Sequence, residues 1–151
     1  IGECAAPREE HAESWISHRI EASYRALHAA GHAHSIECWQ DGELVGGLYG
    51  VSFERVFCGE SMFSRTADAS KVALAWLVAA MRQAGFVLLD CQFMTDHLAT
   101  MGAVAVPQSR YMDMLIAADG YPAASLPDAV ARFAASSSPG KSIAQSLTQT
   151  S

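Results

Sequence analysis

Apolar and polar residues alternate through Ala33-His34-Ser35-Ile36-Glu37-Cys38-Trp39. That two-residue period predicts a half-buried strand, because successive strand side chains point to opposite faces. Gln40-Asp41-Gly42-Glu43 then turns the chain into Leu44–Val51, and Asp-Gly between alternating segments is a strong hairpin signal. Gly46-Gly47 inside the second strand implies a bulge or a close backbone approach. Arg55–Gly59 is expected as the third strand of a meander. Before the meander, Ser17 can cap a helix running to Ala30, with Tyr24, Leu27 and Ala30 on one face and Gly31 as the stop. Beyond it, Asp68 is placed to cap a helix from Ala69 to Ala84. That helix carries Val72, Trp76, Ala79 and Ala80 on one side, with Leu74, Leu77 and Met81 beside them, and Gly85 ends it. Phe86–Gln92 is apolar on both faces, as a central strand would be. Thr95 should cap a short helix through Met101, closed by Gly102. Ala103–Val106 reads as another strand, and Ser109 opens a helix to about Ala118.

The chain divides accordingly into a polar connector (1–14), one folded domain (15–119) and an Ala/Ser/Pro-rich C-terminal tail (120–151). Leu126–Phe133 is expected to add a helical turn or two, and residues 135–151 to be disordered. Strands first, then helix–strand–helix–strand–helix, give a mixed α/β layered fold. Its sheet is flanked by helices in the manner of acetyltransferases.

Composition narrows the function. The chain has 151 residues, 50% hydrophobic and 17% charged, enough for one folded core. No run approaches the length of an apolar membrane span. The start, Ile1-Gly2-Glu3-Cys4, lacks the basic and apolar regions of a signal peptide. Cys4, Cys38, Cys58 and Cys91 form no Cys-x-x-Cys pair, so reduced structural thiols and a cytoplasmic location are expected. The formal net charge of −6 argues against an extended nucleic-acid surface, which needs a basic stripe.

Against that background the acidic residues inside apolar runs stand out. In Leu88-Leu89-Asp90-Cys91-Gln92, strand alternation puts Asp90 and Gln92 on one face, about 7 Å apart. Asp90 can accept a proton, and Gln92 offers a donor and an acceptor, so together they could fix an amine. Equally, Asp90 could cap the next turn while Gln92 satisfies a loop. In Phe57-Cys58-Gly59-Glu60-Ser61-Met62-Phe63-Ser64, Glu60 either binds a cationic group or pairs with Arg55, Arg65 or Lys71. Leu48, Phe57, Met62, Leu74 and Leu77 line a pocket or simply form core. Trp15, Tyr24 and Trp39 could stack on a ring or only pack. His28, His32 and His34 share no face and have no evident acidic partner, so no metal site is expected; no cofactor is expected either. Ser61 lacks the surroundings of a nucleophile elbow.

Several segments together carry a likeness. They are Gly31-His32-Ala33-His34-Ser35-Ile36-Glu37, Leu44-Val45-Gly46-Gly47-Leu48-Tyr49-Gly50-Val51, Gly59-Glu60-Ser61-Met62-Phe63-Ser64, Ala69-Ser70-Lys71, Asp90-Cys91-Gln92 and Thr95-Asp96-His97-Leu98-Ala99-Thr100-Met101-Gly102-Ala103. In order and spacing the chain resembles the leucyl/phenylalanyl-tRNA–protein transferases from about Trp15 to Leu115. The resemblance implies an acetyltransferase-like domain that moves Leu or Phe, sometimes Met, from aminoacyl-tRNA to a protein's N-terminal Arg or Lys. The new residue marks that protein for bacterial N-degron degradation. It further implies that Asp90 and Gln92 attend the attacking amine, with Glu60 holding the acceptor's cation or supporting that pair. Leu48, Phe57, Met62, Leu74, Leu77 and Leu89 would form the side-chain pocket, with Ser64 near it. Trp15 and Tyr24 would pack against the terminal adenosine and the aminoacyl group. The partners so implied are the 3′ end of aminoacyl-tRNA and a basic protein N-terminus, with no membrane, and the protein is expected to act as a monomer.

The family has a further region before the equivalent of Trp15, so the 151-residue chain alone is expected to be weakly active or inactive. Two rivals share the pattern. An acyl-CoA N-acetyltransferase would need a phosphate-binding turn leading into the central helix, where Ser64-Arg65-Thr66-Ala67-Asp68 has no glycine. A non-catalytic module could recognise basic N-termini through Glu60 and Asp90.

Overall fold

The computed structural model describes residues 1–5 and 17–148. Helix α1 (Gly2–Ala5) and helix α2 (His18–Ala29) precede an antiparallel meander of β1 (Ala33–Gln40), β2 (Glu43–Phe53) and β3 (Val56–Ser64). Ser17 caps α2 as its residue type demands, accepting the Ile20 N–H. The β1–β2 turn places both Asp41 and Gly42 at positive φ, 53° and 83°. Such a turn matches the right-handed twist of the flanking strands.

The glycines of β2 answer to close packing. A Cβ on Gly46 would lie 2.5 Å from the Ala69 side chain, and one on Gly47 would lie 2.7 Å from the Ile36 carbonyl. The bulge in this hairpin falls one residue earlier, at Val45, since Cys38 pairs with Gly46 and Trp39 with Leu44. A second bulge bears on function. Gly50 pairs with Gly59 and Tyr49 with Ser61, which leaves Glu60 as the extra residue of β3. Bulges re-aim side chains and locally bend the strand.

Helix α3 (Ala69–Ala84) crosses one face of the sheet, and Gly85 at φ 84° ends it. Leu74, Leu77, Ala80 and Met81 meet Leu48 and Phe57 there, with Ile36, Met62 and Leu89 packed at the margin. Strand alternation sends Tyr49 and Phe63 to the opposite face, where they pack with Cys4 of α1 and with Ile20 and Tyr24 of α2. Val56, Leu88 and Ala118 form a further cluster with Tyr111, Met114 and Leu115 of helix α5 (Gln108–Ala117).

Five features depart from the sequence reading. The expected central strand is the short β4 (Leu88–Asp90), which pairs in parallel with β3 at one edge of a sheet ordered β1-β2-β3-β4. It stops there because Asp90 turns the chain away through its own side chain. Residues 103–106 join no ladder, and Val104 is 77% exposed. Asp68 does not cap α3: its φ of 63° turns its side chain away from the helix N–H groups, and its carboxylate pairs with Lys71 at 2.7 Å. The Ser64 hydroxyl takes the Ser70 N–H instead, at 3.3 Å. The segment expected to be a disordered tail forms α6 (Leu126–Ala134) and α7 (Pro139–Thr148). Phe133 and Ile143 bury themselves against Ala79 of α3. Arg82 donates to the Ser146 and Leu147 carbonyls at 2.6 and 3.1 Å, tying down the end of α7. Sparse apolar residues at helical spacing were enough once α3 offered a face to cover. The N-terminal connector also differs at its start, where Cys4 is buried.

Among the described residues, no helix is long and apolar enough to cross a membrane.

Candidate functional site

Asp90 ends β4, opposite Cys58 of β3. Its Oδ1 accepts the Gln92 backbone N–H at 2.8 Å and its Oδ2 accepts the Tyr111 hydroxyl at 2.8 Å. Gln92 does not continue the strand face. It sits at φ 62°, in the left-handed region that residues other than glycine seldom adopt. Its side-chain amide donates to the Gly59 carbonyl at 3.1 Å. The two residues are adjacent through an Asx-type turn and not through strand alternation. Because the Gly59 carbonyl can only accept, the Gln92 NH₂ must face it, which leaves Gln92 Oε1 as the group able to receive a donor.

Glu60 projects from its bulge toward α2. The cations that might have neutralised it are engaged elsewhere. Arg55 donates to the Ala117 and Asp119 carbonyls, Arg65 pairs with Glu3, and Lys71 pairs with Asp68. No ion pair among the described residues uses Glu60 or Asp90. Glu60 meets Tyr24 instead: burial, and then hydrogen bonding to the Glu60 carboxylate, pushes the Tyr24 phenol up to about 12. Tyr49 packs edge-on against Tyr24 with ring centroids 5.1 Å apart, and burial raises its phenol as well. Cys58 lies between the two carboxylates. Burial, and then the charges of Asp90 and Glu60, push its thiol up to about 11. The site is therefore an anionic strip along one sheet face with donors and, among the described residues, no cation paired to it.

The tyrosines carry a pH prediction. Tyr24 and Tyr111 are each pushed up to about 12 from an ordinary 10.0. Tyr111 is raised by its bond to the Asp90 carboxylate first and by burial second. A phenol that ionises earlier in the unfolded chain contributes stability that is complete below its unfolded value and lost as pH rises toward the folded one. The urea midpoint is expected to fall between pH 10 and about 12. A Tyr24→Phe/Tyr111→Phe double variant should show a shallower fall over that interval, and equal slopes would contradict the assignment.

The apolar residues behave differently from a ready-made pocket. Leu48, Phe57, Leu74 and Leu77 are all below 8% exposed and pack on the α3 side of the sheet, with Met62 and Leu89 at the margin. Sheet alternation thus puts them on the face opposite Asp90 and Glu60. The two sets meet only where the sheet ends. A cavity of about 980 Å³ wraps the free edge of β4, reached by Leu74, Val78 and Leu89 from one face and by Asp90, Tyr111 and Met114 from the other. Gln92 lines it too. Ser64 is not part of it: its hydroxyl donates to the Thr66 carbonyl at 2.7 Å and holds the entry to α3. Tyr24 borders a separate hollow along α2. Trp15 lies outside the described residues.

Tyr111 escaped the sequence reading, although a signal existed. Tyr111, Met114 and Leu115 share a helix face, and an aromatic residue with a polar tip on a packed face needs a hydrogen-bond partner.

Fold and site together define an α/β domain that presents, at the rim of an apolar cavity, a carboxylate that has no counter-ion and an amide oxygen that has no donor among the described residues. That equipment suits the handling of an amine beside a hydrophobic group. The family model described as leucyl/phenylalanyl-tRNA protein transferase matches residues 1–116. A leucyl/phenylalanyl-tRNA–protein transferase of Novosphingobium aromaticivorans is 56% identical, over 100% of this chain and 71% of the relative. Proteins of the same description from Rhizorhabdus wittichii and Zymomonas mobilis are each 58% identical, over 80% and 74% of this chain. The chain spans 48% and 42% of their lengths. The chain belongs to the leucyl/phenylalanyl-tRNA–protein transferase family.

Proposed function

We propose that this protein transfers a leucyl or phenylalanyl group from aminoacyl-tRNA to the N-terminal amine of an acceptor protein that begins with Arg or Lys. The observation that carries the reading is Asp90, which has no counter-ion among the described residues, beside the outward-facing Oε1 of Gln92 at the rim of the cavity. Family membership supports it.

In the proposed reaction the acceptor's amine nitrogen attacks the carbonyl carbon of the aminoacyl ester and forms the new C–N bond. An α-ammonium group loses its proton near pH 8, so modest help is enough. Asp90 receives that proton, and Gln92 Oε1 accepts an N–H that aims the nitrogen lone pair. The C–O bond to the terminal ribose then breaks, and the ribose oxygen leaves with the second proton that the nitrogen gives up as it becomes the amide. Holding the two reactants together supplies much of the rate. Glu60 attends the acceptor's basic side chain, and Leu89 and Leu74 contact the transferred one. The layered sheet serves in the acetyltransferase manner, the strand end presenting the reacting groups. Since aminoacyl-tRNA is made and used in the cytoplasm, the reaction is cytoplasmic, and its product is fit for N-degron proteolysis.

Labelled Leu-tRNA with an Arg-starting peptide and the full-length protein should yield labelled peptide. A Glu-starting peptide should yield little, because an anionic strip repels it. Absence of product with the Arg peptide would end this reading.

A further inference from the structure

We propose that Tyr111 is a positioning residue for Asp90, its hydroxyl holding the carboxylate at the cavity rim in the orientation that receives the amine's proton. The inference rests on the reading of Asp90 given above and adds a residue to it.

Three observations carry it. First, the Tyr111 hydroxyl lies 2.8 Å from Asp90 Oδ2 while the Gln92 N–H lies 2.8 Å from Oδ1. Each oxygen has its own donor, so the carboxylate cannot rotate without breaking a bond. A carboxylate has about four acceptor sites, and lone pairs remain for an incoming amine. Second, the tyrosine ring is fixed independently of the site. It packs against the cluster of Val56, Leu88 and Ala118, and Arg55 grips the far end of α5 through the Ala117 and Asp119 carbonyls. The hydroxyl is therefore presented by a rigid element, as a positioning group must be. Third, the chain leaves the sheet after Asp90 and returns at Tyr111, and the excursion between them supplies Gln92, α4 (Asp96–Thr100) and one cavity wall. The bond between Asp90 and Tyr111 joins the two ends of that excursion. Losing it frees the carboxylate and loosens the turn that keeps Gln92 at positive φ.

Tyr111→Phe removes one oxygen and keeps the packed ring. In the full-length protein its kcat for transfer is expected to fall about tenfold or more, the scale of a hydrogen bond to a charged group. KM for aminoacyl-tRNA and peptide should stay within about twofold, because orientation and not ground-state binding is lost. Thermal melting should change little. A second readout does not need activity. With tyrosine Cζ labelled with carbon-13, the Tyr111 signal, assigned by its absence from Tyr111→Phe, should titrate near 12 in the parent protein. In Asp90→Asn it should move toward the ordinary 10.0. An unchanged kcat, a rise in KM together with a fall in melting temperature, or a Tyr111 titration indifferent to Asp90→Asn would each overturn the proposal. If the parent protein transfers nothing, the transferase reading fails by itself, and the titration still decides whether Tyr111 holds Asp90.

Discussion

Asp90→Asn is expected to slow aminoacyl transfer by about 100-fold or more, the range in which a positioned acid–base group acts. The protein should meanwhile stay folded. The substitution keeps the size of the side chain and one oxygen able to accept the Gln92 N–H, so the turn after β4 can still form. What goes is the charge and with it the capacity to take a proton from the amine. No cation pairs with Asp90 among the described residues, so neutralising it leaves no described cation stranded. Single-turnover transfer of labelled Leu, alongside a thermal melt, measures both parts. A variant that transfers at the parent rate would remove Asp90 from the chemistry. One that loses only affinity for Arg-starting peptides would mark a binding module instead.

Phe57→Ala should have the largest effect on stability, about 3–5 kcal/mol by the usual cost of emptying an aromatic site in a packed core. The resemblance assigns Phe57 to the wall of the side-chain pocket, but its exposure is 0% and α3 covers it completely. A residue in that position acts on folding before it acts on substrate. Leu89 is the contrast, half-buried and on the cavity. Leu89→Ala should chiefly shift the preference between Leu and Phe, with a span of about 1–3 kcal/mol available to an apolar contact. Urea unfolding of both variants, with competition between Leu-tRNA and Phe-tRNA, separates the roles. A Phe57→Ala protein that keeps its stability and changes its selectivity would return Phe57 to the pocket.

Much of the fold was legible because its signals are local. Asp41-Gly42 demands its turn, Ser17 and Thr95 cap the helices that follow them, and Gly85 stops α3. Signals that depend on neighbours misled. Phe86–Gln92 has the composition of a central strand, yet Asp90 closes a turn onto Gln92 and leaves β4 at the edge. The polar C-terminal segment looked too weak to fold, and it becomes helix because Ala79 and Arg82 of α3 give Ile143 and the end of α7 somewhere to dock.

The same division runs through the site. By itself the sequence determined that Asp90, Gln92 and Glu60 are acidic or amide groups lodged in apolar runs, and its motifs named the family. Those are properties of residue type and spacing, which no packing can alter. Only the tertiary structure decided that a bulge aims Glu60 at Tyr24 and that Gln92 gives its NH₂ to Gly59. It alone brought Tyr111, from a separate helix, onto Asp90. It also set the apolar wall on the opposite face of the sheet, so that carboxylate and cavity meet only at the free edge of β4. The physical reason is that hydrogen-bond partners and sheet faces are chosen by which elements pack together, and a linear pattern records each element's preference without recording its neighbour.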